Sequence, residues 1–106
     1  MGEEESWNLL DDSGVHVLRV IAKYERGLRD FVIVYSVKEG DKDEVLARFD
    51  CAHGFAHRDL AYLPRNHKGK KVPVEGVTMK EKMARALDDV KRNWARYYLE
   101  SKRWRK

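Results

Sequence analysis

Hydrophobic and polar residues alternate along the first half of the chain. The alternating apolar positions are His16, Leu18, Val20, Ala22 and Tyr24, then Phe31, Ile33, Tyr35 and Val37, then Val45, Ala47 and Phe49. Turn-forming sequences (DDSG, RGLR and EGDKD) separate the runs, and the short apolar run WNLL precedes them. A period of two is typical of a sheet with one face on a core and the other toward water. The pattern predicts an antiparallel meander of three or four strands over residues 7–50.

The last third of the chain has a helical period instead. Thr78 and Glu81, in the sequence TMKE, fit a capping box at a helix start. The apolar residues that follow at spacings of three and four are Met79, Met83, Leu87, Val90, Trp94 and Tyr97. They form one stripe, which predicts a single long helix over residues 78–103 that covers the sheet. The fold class expected is therefore α+β, in one domain.

That helix is long for the strands beneath it. From Thr78 to about Lys102 it would extend roughly 37 Å at 1.5 Å per residue. Its last turns, with Tyr98 and Trp104 among basic residues, are therefore expected to project and are a candidate contact between subunits in a homo-oligomer.

Composition narrows the class of protein. The chain has 106 residues, of which 38% are charged and 42% hydrophobic, as in a globular domain. A single cysteine cannot form an internal disulfide, which favours a reducing compartment. The chain has no apolar run of 18 residues and its first residues are acidic, so we expect a cytoplasmic protein without a membrane segment.

Charge is distributed unevenly. Residues 1–50 carry 7 basic and 12 acidic side chains, whereas residues 51–77 carry 5 and 2 and residues 78–106 carry 10 and 4. The balances are −5, +3 and +6. The basic second half indicates a surface for phosphates or for an acidic partner, although a solvated helix would show the same charge.

Residues 51–77 are predicted to be a long connection between the last strand and the helix, and long connections are often functional. This segment holds Cys51, His53, His57 and His67, four residues of the two types that most often bind zinc. Their spacing matches no standard zinc module, so we expect neither a metal nor another cofactor.

The same connection has the residue types that metal-independent RNA cleavage needs. Two histidines, His53 and His57, can serve as general acid and base, and Asp50 or Asp59 can orient an imidazole. The candidates for binding phosphate are Arg58, Arg65, His67, Lys68, Lys70 and Lys71. Catalysis is one interpretation of this pattern. The others are a non-catalytic module that binds nucleic acid or an acidic protein, and a structural protein that oligomerises through its helix.

The order of these features resembles the TumE-type toxins of bacterial and archaeal toxin–antitoxin operons. The sequences that carry the resemblance are LLDDSGVHVLRVIA, DFVIVYSV and VLARFDCAHGFAHRDL. Phe49 and Asp50 match an aromatic-Asp pair of that family, and His53 and His57 match its histidine cluster, whereas Cys51 replaces an asparagine. The resemblance implies a β-meander with a C-terminal helix. It also implies a toxin that acts on RNA, as a ribonuclease or a translation inhibitor, with a cognate antitoxin protein as partner.

Overall fold

Six strands and one helix make up the computed structural model, which describes residues 2–52 and 54–104. They are β1 (Gly2–Leu9), β2 (His16–Tyr24), β3 (Leu28–Glu39), β4 (Lys42–Ala52), β5 (Phe55–Leu60), β6 (Lys71–Val74) and α1 (Met79–Trp104). The strands form one antiparallel sheet in the order of the chain. The predicted α+β class, with an antiparallel meander and a C-terminal helix, is confirmed. The predicted strand count of three to four was too low.

The two additional strands lie inside residues 51–77, which the sequence presented as a connection. β5 has no simple apolar face, because the charged Arg58 occupies a core-facing position between the buried Ala56 and Leu60. β6 has only four residues and contains Pro73, which suits the edge of a sheet. Neither strand has the alternation by which β2, β3 and β4 were recognised. β1 was predicted only from the apolar run WNLL, and it begins earlier, at Gly2.

The core lies between one face of the sheet and α1. Phe31, Ile33, Tyr35 and Val37 of β3 are all fully buried there, as the alternation predicted. The expectation for Val45 was wrong, because a bulge between β3 and β4 shifts the register at Tyr35/Ser36. Leu46 is buried instead and Val45 is exposed.

The helix begins where the capping residues predicted. The Thr78 hydroxyl accepts a hydrogen bond from the Glu81 amide at 3.1 Å, and the Glu81 carboxylate accepts one from the Val77 amide at 3.3 Å. Met79, Met83, Leu87 and Trp94 of the predicted stripe are partly buried against the core, and Val90 and Tyr97 are fully buried. Within residues 2–52 and 54–104, no helix has the length and apolar character needed to cross a membrane.

Candidate functional site

The candidate residues on β4 and β5 are divided between the two faces of the sheet. Asp50 lies directly opposite His57, whereas Phe49 lies opposite Arg58. Because Phe49 is in the core, Arg58 faces α1, and Asp50 and His57 point to the opposite side. We call that side, which α1 does not cover, the outer face.

On the outer face, one predicted pair of catalytic residues comes together. Directly opposite residues of antiparallel strands have Cβ atoms about 4.5–5.5 Å apart, so Asp50 and His57 are neighbours. The Asp50 carboxylate, however, already accepts a hydrogen bond from Arg48 Nε at 3.1 Å. Asp59 is engaged elsewhere, with Lys70 Nζ 3.3 Å from its Oδ1. The fourth candidate, His53, lies outside the described residues.

Arg58 belongs to a polar network between β5 and α1. Its Nη1 donates to the Tyr97 hydroxyl at 3.2 Å and lies 3.7 Å from Asp89 Oδ2. The Tyr97 hydroxyl in turn donates to Asp89 Oδ1, which also accepts from Asn93 at 3.1 Å. This arrangement holds the guanidinium against the helix, away from the lysines with which the sequence grouped it.

The network keeps Tyr97 protonated. Burial, followed by the hydrogen bond to the Asp89 carboxylate, raises the pKa of Tyr97 to about 12. A neutral Tyr97 can therefore donate to Asp89 throughout the physiological range. Sequence analysis missed Asp89 and Tyr97 as partners of Arg58. The sequence did contain a signal for these partners. A charged residue between two core-facing positions of a strand requires a polar partner on the element that packs against that face, which is α1.

The segment between β5 and β6, residues 61–70, packs against the last turns of α1. The Tyr62 hydroxyl donates to the Glu100 carboxylate at 2.7 Å, and burial raises the pKa of this phenol. The His67 and Trp104 rings are nearly perpendicular, with their centroids 5.5 Å apart. Its Nδ1 accepts a hydrogen bond from the Gly69 amide at 2.9 Å. These contacts bring two basic segments, distant in sequence, to one end of the molecule.

We call this region the basic end and define it by its exposed residues: Arg65, Lys68, Lys71, Lys102, Arg103 and Trp104. In the part of the chain that the structure describes, none of its five cations forms an ion pair with a carboxylate. Lys102 Nζ lies 4.5 Å above the Tyr98 ring. Lys70 differs, because its ammonium is turned toward Asp59 and the carbonyl oxygens of residues 60 and 61.

The potential zinc ligands do not converge among the residues described. Cys51 faces α1, where its thiol lies 3.5 Å from the Met79 sulfur and burial raises its pKa to about 11. His57 is on the outer face and His67 is at the basic end. Residues 2–52 and 54–104 contain no group of three or more histidine, cysteine, aspartate or glutamate side chains placed to hold a metal ion.

A groove of about 570 Å³ separates β6 from α1 and exposes part of Arg58. Its walls are apolar at Val72 and Val74, but more carboxylates than cations line it as well: Glu75, Glu81, Asp88 and Asp89 against Arg58 and Arg85. Such a lining repels phosphate. The basic end is therefore the better candidate for an anionic ligand.

No curated protein and no solved structure matches this chain. One family model does match, over residues 1–106, and its description is a domain of unknown function, DUF7718. Since the match covers the whole chain, the protein belongs to the DUF7718 family.

Proposed function

We propose that the protein binds RNA through the basic end. The observation that carries this proposal is the convergence of exposed, unpaired cations from two segments beside an exposed tryptophan. Arg65 and Lys68 come from the β5–β6 connection, and Lys102 and Arg103 come from the end of α1. Each cation that neutralises a phosphate releases counterions, which makes such a cluster favourable for a polyanion.

Trp104 favours a single strand over a duplex. About half of its side chain is exposed, and the His67 ring beside it is perpendicular to the indole. Unpaired bases stack on aromatic side chains, whereas bases within a duplex are not accessible in this way. A cation-rich surface beside an aromatic platform is typical of proteins that bind single strands with little sequence preference.

The resemblance to TumE-type toxins suggests a target and a partner for this binding. An RNA of the translation machinery would be the target, and a cognate antitoxin protein would be the partner that covers the basic surface. Growth arrest on expression, relieved by co-expression of the neighbouring gene product, is the expected result. Growth that is unaffected by expression would contradict the toxin proposal while leaving RNA binding open.

RNA cleavage is a second candidate, which the pairing of Asp50 with His57 favours. A carboxylate beside an imidazole orients it for proton transfer. Leu60, where β5 meets the basic end, is three residues from His57, or about 10 Å along the strand. To reach His57, a strand of RNA held at the basic end would therefore have to extend over the outer face. Loss of cleavage in His57→Ala, with binding retained, is the expected result if this site is catalytic. Cleavage at the wild-type rate in that variant would exclude the role.

Binding is tested by fluorescence anisotropy with a labelled single-stranded RNA of about 15 nucleotides. We expect Trp104→Ala to weaken binding by about tenfold, because one stacked base contributes about 1–3 kcal/mol. A duplex of the same length should bind more weakly than the single strand and should be insensitive to Trp104→Ala. Equal loss of affinity for both RNAs would mean that Trp104 supports the fold of the basic end rather than stacking on bases.

A further inference from the structure

The middle of β2 and β3 carries apolar residues on the outer face as well as on the core face. Ile21 of β2 and Val32 of β3 lie opposite each other, and Val34 follows on the same side of β3. These residues alternate with the core residues Phe31, Ile33 and Tyr35, so they lie on the outer face. Strands that are covered on one face only normally place polar residues on the other, and continuous apolar runs are typical of strands covered on both.

The edge of the sheet continues this surface. Trp7 and Leu9 of β1 also lie on the outer face, with 61% and 62% of their surface exposed. Leu9 belongs to a cross-strand row with Val17, Ser36 and Val45, and Val45 at the far end of the row is 41% exposed. We define the outer apolar patch as Trp7, Leu9, Ile21, Val32, Val34 and Val45.

The charges around this patch compensate one another. Arg19 Nε donates to the Glu5 carboxylate at 2.8 Å, and its guanidinium lies 4.9 Å above the Trp7 ring. Arg48 pairs with Asp50 on the same face. A surface with its charges already paired offers little to a strongly charged protein. It does not repel a copy of itself, because each positive group has its own carboxylate beside it.

We propose that the outer apolar patch is a homodimer interface, in which two sheets pack face to face. The patch extends over four strands about 4.8 Å apart and about five residues of 3.4 Å each, or about 330 Å² in projection. The accessible area of a side-chain-covered surface exceeds its projection, but the contact is still smaller than the roughly 800 Å² per partner of a standard interface, as in dimers that dissociate on dilution. An isologous dimer requires a self-complementary surface, and a neutral apolar sheet face meets that requirement.

The dimer would have two basic ends, one from each protomer. Both would remain accessible because Arg65 and Lys68 follow the end of β5 and Lys102 and Arg103 lie in the last turn of α1. This proposal does not rest on RNA binding. A monomeric protein could still bind RNA, and a dimer could form without doing so.

Size-exclusion chromatography with light scattering tests the proposal on the full chain. We expect a mass of twice the 12.5 kDa of one chain at about 50 µM protein. Leu9→Lys and Val45→Lys introduce a charge at opposite ends of one cross-strand row, and each should raise the dimer dissociation constant by at least tenfold. Leu99→Lys is the matched control, because Leu99 is 64% exposed but lies on α1. It should leave the dimer intact.

Three results would overturn the proposal. A wild-type mass of one chain at this concentration would show that the patch forms no stable dimer. If Leu9→Lys dissociates the dimer and Val45→Lys does not, the two copies pair through the free edge of β1. A dimer broken by Leu99→Lys would be formed through the helix. Since the three substituted side chains are largely exposed, circular dichroism should show the wild-type fold in every variant.

Discussion

Removing the Asp89 carboxylate is expected to destabilise the fold, because Asp89 is the acceptor for two groups held between β5 and α1. In Asp89→Ala, the Tyr97 hydroxyl loses its acceptor and Arg58 loses its counterion. Tyr97 is only 1% exposed, so water cannot replace the lost partner. The buried hydroxyl then has no acceptor for its proton, and the partly buried guanidinium keeps only its hydrogen bond to that hydroxyl.

The magnitude follows from the burial of the two groups. Leaving a buried hydrogen-bond donor without a partner costs about 1–3 kcal/mol. The ion pair adds little, since about a quarter of the Asp89 and Arg58 side chains is exposed and solvent screens the charges. We therefore expect a loss of about 2 kcal/mol in the free energy of unfolding. For a chain of this length, that corresponds to a Tm lower by roughly 10 °C.

Urea unfolding followed by circular dichroism measures this loss. Asp88→Ala is the matched control, because it removes the same side chain one residue earlier in the same helix. Asp88 is exposed and pairs only with Arg92 in the next turn, a contact that contributes about 0.3–0.5 kcal/mol. Equal losses in the two variants would refute the structural role of the Arg58–Tyr97–Asp89 network.

Three further predictions concern titration and packing. Because burial raises the pKa of the Cys51 thiol to about 11, alkylation by iodoacetamide at pH 8 should be at least tenfold slower in the folded protein than in urea; equal rates would contradict this. The pKa of Tyr97 is raised from 10.0 to about 12, so the unfolded chain releases this proton first. The folded state therefore binds this proton more tightly than the unfolded chain does. The resulting contribution to the free energy of unfolding is fully present below pH 10 and decreases as the pH rises toward 12. Urea midpoints between pH 8 and pH 11 should fall above pH 10, and they should fall less in Tyr97→Phe. Tyr62→Phe removes the hydrogen bond to Glu100 and should lower the free energy of unfolding in urea by about 1 kcal/mol. An unchanged free energy of unfolding would show that this contact does not anchor the β5–β6 connection to α1.

Much of the fold could be predicted from the sequence, because β2, β3, β4 and the helix have regular patterns. The alternation in β3 gave its buried face directly, and Thr78 with Glu81 marked the start of α1. Two features could not be predicted in this way. A bulge shifts the register between β3 and β4 and moves Val45 to the outer face, and no residue in the sequence marks the position of this bulge. β6 has four residues, too few for a period to be recognised.

Less of the site could be predicted, because spacing along a chain does not determine the face of a strand. Asp50, His57 and Arg58 were grouped by sequence, yet the strand period places Arg58 on the opposite side of the sheet from the other two. Conversely, Arg65 and Lys68 were grouped with the other basic residues of their own segment, whereas the fold places that segment beside the last turns of α1. Only the packing of Tyr62 and His67 on α1 brings these groups together.

The salt dependence of RNA binding tests the basic end most directly. For a single strand, the slope of log K against log salt decreases by about 0.7 for each phosphate contact removed. We expect the double variant Arg65→Ala/Lys68→Ala to reduce the slope by about 1.4 and to weaken binding to all RNA sequences alike. Lys80→Ala removes an exposed cation at the opposite end of α1, and it should leave both slope and affinity unchanged. A double variant that binds RNA with the wild-type slope, or a Lys80→Ala variant that loses as much affinity, would contradict the assignment of the basic end as the RNA-binding surface.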